Sequence, residues 1–222
     1  MDVEGSEKCI VFYDNAGEHF LPQNSTAEDF HVLHLAKASS LFFLFDPVSN
    51  IEFKRRLRNS DDAQMNLQAY EPDSQDVILA QMNVKIKRAL GLPFSQKLDV
   101  PLSIMINKSD LWLDLMEDHM ELKDPVVDGH LDLGILDNNS NLVRSFLARL
   151  CPALVANAEK LCAEVRYFAI SSFGHAPDFY VDSNTGDKMI APDPEKIDPQ
   201  GLDVPTIWAL SHMARRSRIL VI

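Results

Sequence analysis

Residues 8–20 read KCIVFYDNAGEHF and combine a short apolar run with a polar turn. The apolar part, residues 9–12, is rich in β-branched and aromatic side chains, and Tyr13, Asp14 and Gly17 follow it. A run of this kind, stopped by polar residues and glycine, predicts a buried strand. Asp14 then falls at the carboxyl end of that strand, which is where ligands bind in open α/β sheets.

Three further apolar runs predict strands, and a polar motif follows each of them. The first of the three, LFFLF, is uninterrupted, which is typical of a central strand covered on both faces. Because parallel strands place their carboxyl ends at one edge of a sheet, the polar motifs are expected to lie together. The runs and their motifs are 41–45 with Asp46-Pro47, 101–106 with Asn107-Lys108-Ser109-Asp110, and 165–170 with Ser171-Ser172-Phe173-Gly174.

Helical patterns alternate with these strands, which predicts an α/β fold with a mostly parallel sheet and helices on both faces. A chain of 222 residues is most simply one domain. Residues 111–139 are acidic and are predicted to form a partly helical surface insertion, and residues 175–203, rich in Asp and Pro, an irregular loop or lid. The predicted helices cover residues 27–37, 75–90 and 140–163 (bent at Pro152), and a last one that opens at Asp203.

The composition is that of a globular chain with an acidic surface, since 46% of the residues are hydrophobic and the formal net charge is −12. This charge disfavours nucleic acid as a partner. No apolar run approaches the ~18 residues of a membrane span, and the first residues, MDVEGSEK, are not typical of a signal peptide. Cys9, Cys151 and Cys162 show no zinc or disulfide spacing, which is typical of a reducing compartment, so we expect a cytoplasmic protein.

The pattern Asp14-x-x-Gly17, then Asn107-Lys108-Ser109-Asp110, then Ser171-Ser172-Phe173-Gly174, each after a predicted strand, resembles the latter two-thirds of a Ras-like P-loop GTPase domain. Within that superfamily the chain is most similar to the bacterial double-GTPase group. The further cues are YDNAGE, Asp46-Pro47 after a strand, and a last helix that opens with DVPTIWAL. The resemblance implies a three-layer α/β/α P-loop NTPase-like fold, binding of GTP or GDP with Mg²⁺, and GTP hydrolysis.

The resemblance also implies how the base would be read. The Asp110 carboxylate would accept hydrogen bonds from guanine N1–H and the exocyclic amine, a donor pair that adenine lacks. Asn107 would tie the loops together, and the Lys108 stem would lie over the ring face. The backbone amides near Ser171 and Ser172 would receive the guanine oxygen, although the lysine of the family's third motif is absent from S-S-F-G.

On the phosphate side, the resemblance assigns Asp14 to Mg²⁺ through a water molecule and the Gly17 amide to the γ-phosphate. Glu18 stands where Ras-like proteins carry the glutamine that positions water, so it is the candidate catalytic residue. A glutamate donates poorly to a phosphate oxygen, and slow intrinsic hydrolysis is therefore expected. His19 is a nearby alternative, and an exposed loop residue is the simpler interpretation of it.

The family's phosphate cradle, G-x-x-x-x-G-K-[ST], is missing, because none of the eight glycines is followed by Lys-Ser or Lys-Thr. In Ras-like domains the strand before that cradle lies between the ones that correspond to residues 8–13 and 41–45. A truncated gene product is the favoured explanation. The alternatives are a degenerate module that binds no nucleotide, and a partner protein that supplies the missing strand and loop.

These observations predict a guanine-nucleotide-binding, GTPase-like domain that is inactive or weak by itself. The alternative is a non-enzymatic protein-interaction module that binds through residues 111–139 and 175–203.

Overall fold

The computed structural model describes residues 10–14, 20, 30–58, 60, 62–66, 75–116, 121–181 and 185–216. The described elements alternate between strands and helices, and the α/β class predicted from the sequence is confirmed. The strands are β1 (Leu41–Phe45), β2 (Leu98–Ile106), β3 (Val126–Val127), β4 (His130–Leu131), β5 (Cys162–Ala169), β6 (Asp178–Val181) and β7 (Lys188–Ala191). The helices are α1 (Phe30–Ala36), α2 (Ile51–Arg56), α3 (Gln75–Ala89), α4 (Ser109–Trp112), α5 (Leu133–Leu150), α6 (Pro152–Leu161) and α7 (Val204–Arg216).

The main sheet has the order β1-β2-β5, and both pairs are parallel. The register sets Phe45 opposite Ile106 and Ile106 opposite Ala169, so the three carboxyl ends are level. Short hairpins, β3–β4 and β6–β7, are separate from this sheet. The level ends bring the residues that follow β1, β2 and β5 to one edge, as the sequence predicted.

Helices cover both faces of the sheet. Tyr167 belongs to the large apolar core shared with α3, α5 and α6, whereas the next residue, Phe168, packs in a smaller cluster with Val204 and Trp208 of α7. Because successive side chains of a strand point to opposite faces, α7 lies on the face away from α3 and α6. No helix in the described part of the chain is long and apolar enough to cross a membrane.

Strand β1 differs from the prediction of a central strand covered on both faces. Leu41, Phe43 and Phe45 are buried, but Phe42 is 38% exposed and Leu44 is 57% exposed. In the described sheet β1 is an edge strand with one face covered, so that prediction was wrong. An uninterrupted apolar run does not distinguish a buried strand from an edge strand whose outward side chains are also apolar.

The buried strand predicted for residues 9–12 is also wrong for its described part. Residues 10–14 form no strand, and the side chains of residues 10–13 are between 49% and 68% exposed. Their ring contacts are with Phe42, 6.4 Å from Phe12 between centroids, and with His34, stacked on Tyr13 at 4.4 Å. Without a ladder to a neighbouring strand, apolar character alone does not produce a strand. Cys9 and residues 15–19 lie outside the described residues.

The outward-pointing backbone groups at the two outer edges of the sheet have different hydrogen-bond partners. In a parallel ladder, alternate residues direct both backbone groups to the same neighbour. On the outer side of β5, the Tyr167 N–H donates to Ser140 Oγ of α5, and the Arg166 guanidinium donates to the Val165 carbonyl. Side chains of the protein itself thus occupy hydrogen-bonding positions along this edge.

Among the residues that the structure describes, fewer groups contact the outer side of β1. Phe45 directs its carbonyl to β2, where the Asn107 N–H donates to it, so Phe42 and Leu44 direct their backbone groups outward. The side-chain amide of Gln75 pairs with the N–H and the carbonyl of Asp46, one residue after the end of β1. We call the outer side of Phe42 and Leu44 the open edge.

The predicted insertion and the predicted loop are both more ordered than expected. Within residues 111–139 the chain completes α4, forms the β3–β4 hairpin and begins α5, and Trp112 is fully buried rather than on a surface insertion. Within residues 175–203 the chain forms the β6–β7 hairpin and a 3₁₀ turn at Pro194–Lys196. The helix predicted at 140–163 is two helices, because Pro152 opens α6 after α5 ends.

Candidate functional site

The segments that follow β1, β2 and β5 are joined by backbone hydrogen bonds. The Asn107 N–H donates to the Phe45 carbonyl at 3.0 Å, and the Ile170 N–H donates to the Ile106 carbonyl at 2.9 Å. The Ser109 N–H then donates to the Ile170 carbonyl at 2.9 Å. The motif residues predicted on β2 and β5, Asn107 to Asp110 and Ser171, are therefore held together at the carboxyl edge.

Asp110 and Ser171 form the centre of this edge. The Ser171 hydroxyl donates to Asp110 Oδ1, and its oxygen accepts from the Gly174 N–H at 2.9 Å and the Phe173 N–H at 3.3 Å. Because two amides occupy the oxygen, the single hydroxyl proton is directed to the carboxylate. Ser171 thus fixes the orientation of Asp110.

The second carboxylate oxygen of Asp110 has no partner. Asp110 Oδ2 is buried and receives no hydrogen bond from any described residue. A buried polar atom without a partner costs free energy of about 1–3 kcal/mol, and more for a charged group. Asp110 is therefore an oriented carboxylate whose second oxygen would gain from an N–H donor.

Lys108 lies beside Asp110 in a constrained conformation. Its backbone is left-handed, with φ 54° and ψ 45°, and its N–H donates to Asn107 Oδ1 at 2.8 Å. The ammonium donates to Asp46 Oδ1 at 2.6 Å. The Asn107 carbonyl accepts the indole N–H of Trp112 at 2.9 Å, which ties this segment to the core.

Asp46 and Gln75 belong to the site, although the sequence did not single them out as site residues. The Gln75 side chain accepts from the Asp46 N–H at 2.7 Å and donates to the Asp46 carbonyl at 2.8 Å. Asp46 follows a strand, as the predicted site residues do, and that position was a usable signal. Gln75 is the first residue of α3, and nothing in the sequence marks its contact with Asp46.

The loop after β5 is held by a second backbone pairing. Ser171 and Gln200 exchange two hydrogen bonds, at 3.0 and 2.8 Å, and the Asp198 N–H donates to the Phe173 carbonyl at 2.9 Å. Ser172 is exposed at the tip of this loop. It lies next to the carboxyl edge, and the role predicted for its backbone stays a prediction.

Gly174 is expected to tolerate no side chain. Its φ is +71°, and a Cβ would lie 2.0 Å from the Asp198 carbonyl oxygen. Gly174→Ala is expected to lower the free energy of unfolding by about 3 kcal/mol or more, because conformational strain of about 1–2 kcal/mol is added to a backbone clash.

Gly186→Ala is the matched control, since Gly186 has φ +75° with open space around its Cβ, and it should cost only the strain, about 1–2 kcal/mol. Urea unfolding of the two variants measures the difference. Equal losses would contradict the close approach of Asp198 to Gly174.

Asp14, the residue predicted to hold Mg²⁺, is not joined to this edge in the described part of the chain. Asp14 is exposed and makes no hydrogen bond or ion pair with the described residues around Asp46, Lys108 and Asp110. Gly17, Glu18 and His19 lie outside the described residues. Among the residues that the structure describes there is also no group of three or more His, Cys, Asp or Glu suited to a metal ion. Binding of Mg²⁺ stays a prediction.

Two cavities lie along β5. One of about 280 Å³ adjoins the carboxyl edge at Ser109 and Gln200 and is walled mainly by apolar side chains. The other, about 340 Å³, lies on the outer side of β5, and its lining includes the ion pairs Arg144–Glu159 and Arg166–Asp137. There the bidentate hydrogen bonds of Arg144 lower the pKa of Glu159.

Chemically, the carboxyl edge offers an oriented carboxylate with one free buried oxygen, an exposed loop backbone at Ser172 and a lysine stem beside them. This set suits recognition of a planar group with adjacent N–H donors. Comparison of the chain with models of protein families, with curated proteins and with solved structures found no match.

Proposed function

We propose that the chain binds a guanine nucleotide at the carboxyl edge of its sheet. The observation that carries the proposal is the buried, unpartnered Oδ2 of Asp110, whose other oxygen is fixed by Ser171. Guanine presents two adjacent donors, N1–H and the exocyclic amine, and a carboxylate can accept both. Adenine has an acceptor at N1 and would leave the carboxylate oxygen unpaired, which is the kind of mismatch that a buried polar site rejects strongly.

The proposal includes the finer fold expected from the resemblance, a P-loop NTPase-like α/β/α arrangement. It is supported by the parallel order β1-β2-β5 and by motifs that follow the strands at one edge. A helix on the face opposite α3 and α6 also agrees with it. Because the sequence contains no G-x-x-x-x-G-K-[ST], we propose that hydrolysis by this chain alone is weak or absent.

Calorimetric titration of the purified chain tests the proposal directly. GDP is expected to bind with a Kd in the micromolar range, and ADP at least about a hundredfold more weakly, because the carboxylate rejects a ligand without paired donors. Inosine diphosphate, which lacks the exocyclic amine, should bind with an affinity between those of GDP and ADP. Equal affinities for GDP and ADP, or no binding of either, would refute guanine recognition.

A second candidate function, non-enzymatic protein binding, is favoured by the open edge. Phe42 and Leu44 combine exposed apolar side chains with outward backbone groups, and β1 carries no lysine or proline of the kind that blocks strand addition. A partner strand, including one that brings a phosphate-binding loop, would pair there. Absence of GDP binding, together with slowed hydrogen exchange at the Phe42 and Leu44 amides when a partner protein is added, would favour this function.

A further inference from the structure

The Asp46 carboxylate is held in place by contacts other than the one with Lys108. Its Oδ1 accepts from the Val48 N–H at 3.3 Å, and its Oδ2 accepts from the Ser49 hydroxyl at 2.8 Å. Gln75 holds the backbone of Asp46 on the other side through two hydrogen bonds. The carboxylate is thus a positioned anion that does not depend on Lys108 for its place.

Lys108 is held by that anion. Its ammonium lies 2.6 Å from Asp46 Oδ1, and only 20% of its side chain is exposed. A charge-assisted hydrogen bond of this length is among the stronger kinds in proteins. The positive charge of Lys108 is therefore directed along the protein surface toward the end of β1.

From this pairing we infer that Asp46 neutralises Lys108 at the carboxyl edge, so that Lys108 adds little to the binding of a guanine nucleotide's phosphates. The inference rests on the proposed guanine site. Asp46 is a positioning residue in this account, because it acts through Lys108 and does not touch the ligand.

The charge balance explains the direction of the effect. A phosphate near Lys108 would be attracted by the ammonium and repelled by Asp46, so the two contributions largely offset each other. The chain as a whole carries a net charge of −12, which disfavours a polyanion further. Removing the Asp46 charge should release the ammonium to interact with phosphate.

A double-mutant cycle tests the inference, with guanosine and GDP as the two ligands. Because Asp46 offsets the charge of Lys108, Lys108→Met in the otherwise unmodified chain should change the GDP-to-guanosine affinity ratio by less than about threefold. Asp46→Asn keeps an oxygen for the Val48 N–H and should raise the preference for GDP about tenfold, an increase that salt reduces. In the Asp46→Asn background, Lys108→Met should abolish that increase.

Asp62→Asn is the matched control. Asp62 accepts from the Gln64 N–H at 2.8 Å, as an aspartate that caps the turn at Ala63–Asn66, and it makes no ion pair with Lys108. The GDP-to-guanosine affinity ratio of Asp62→Asn should equal that of the native chain. This comparison separates the loss of a capping charge from the release of Lys108.

The outcomes distinguish the inference from the proposed function. A native preference for GDP above about tenfold that Lys108→Met removes would overturn the inference and leave guanine binding intact. An unchanged ratio in Asp46→Asn would overturn it as well. Absence of binding to both guanosine and GDP would overturn the inference and the proposed function together.

Discussion

Asp110→Ala is expected to lower the affinity for GDP about a hundredfold or more. The variant removes two hydrogen bonds to a charged acceptor, and a loss of about 3 kcal/mol corresponds to a factor of about a hundred. Calorimetric titration with GDP, under the conditions used for the native chain, gives the measurement. Asp114→Ala, at an exposed aspartate four residues later in the chain, is the control and should bind GDP like the native protein.

Asp110→Asn separates recognition from folding in the same experiment. The asparagine oxygen can still accept from the Ser171 hydroxyl, so the loop after β5 keeps its anchor. The asparagine NH₂ group, however, faces the N–H groups of guanine with further donors. The affinity for GDP should therefore fall as far as in the alanine variant. If Asp110→Asn bound GDP like the native chain, Asp110 would not be the group that reads the base.

Trp112→Ala is expected to have the largest effect on stability, a loss of about 3–5 kcal/mol in the free energy of unfolding. Trp112 is fully buried, stacks on Phe146 at 5.5 Å between ring centroids and meets the Phe53 ring edge-on at 6.2 Å. Replacing the indole by a methyl group leaves a cavity among rings that cannot collapse freely. Urea unfolding, followed by circular dichroism, measures the loss.

One companion variant tests the indole N–H, and a second variant is the control at an exposed aromatic residue. Trp112→Phe keeps an aromatic ring but removes the N–H that donates to the Asn107 carbonyl, and it should cost about 1–3 kcal/mol. Phe94→Ala, at an exposed aromatic residue, should change stability by no more than about 0.5 kcal/mol. A loss below about 1.5 kcal/mol for Trp112→Ala would contradict the close packing of this aromatic cluster.

The strands of the main sheet were predictable because each apolar run ends at a polar motif. The runs 41–45, 101–106 and 165–170 all fall in or directly beside strands, and the helix predicted at 75–90 is α3. The edge position of β1 was not predictable, since it depends on which strand lies beside it rather than on its own side chains. For the same reason residues 10–13, equally apolar, form no strand.

The site was predictable only where a residue stands within a motif. Asn107, Lys108, Asp110 and Ser171 meet at the carboxyl edge as predicted, and the nucleotide they would bind stays a prediction. The pairing of Lys108 with Asp46 joins residues 62 positions apart, and periodicity carries no information on such pairs.

Buried Lys87 illustrates the same limit in the core. It lies in α3 and is fully buried, with its ammonium donating to the carbonyls of Phe94 at 2.9 Å and Lys160 at 3.0 Å. Burial lowers the pKa of this ammonium. A lysine is rarely buried without partners, and the tertiary placement of the two carbonyls explains why Lys87 is inside.

The unequal edges of the sheet set a limit on self-association. Two copies that paired β1 to β1 would use both open edges at once, and each would present outward only the β5 edge, whose Tyr167 N–H and Val165 carbonyl are already occupied. A fibre needs an open edge at both sides of every subunit, and in the described sheet only the β1 side is open along its strand. Within that sheet, pairing through β1 favours a closed dimer over open-ended polymerisation.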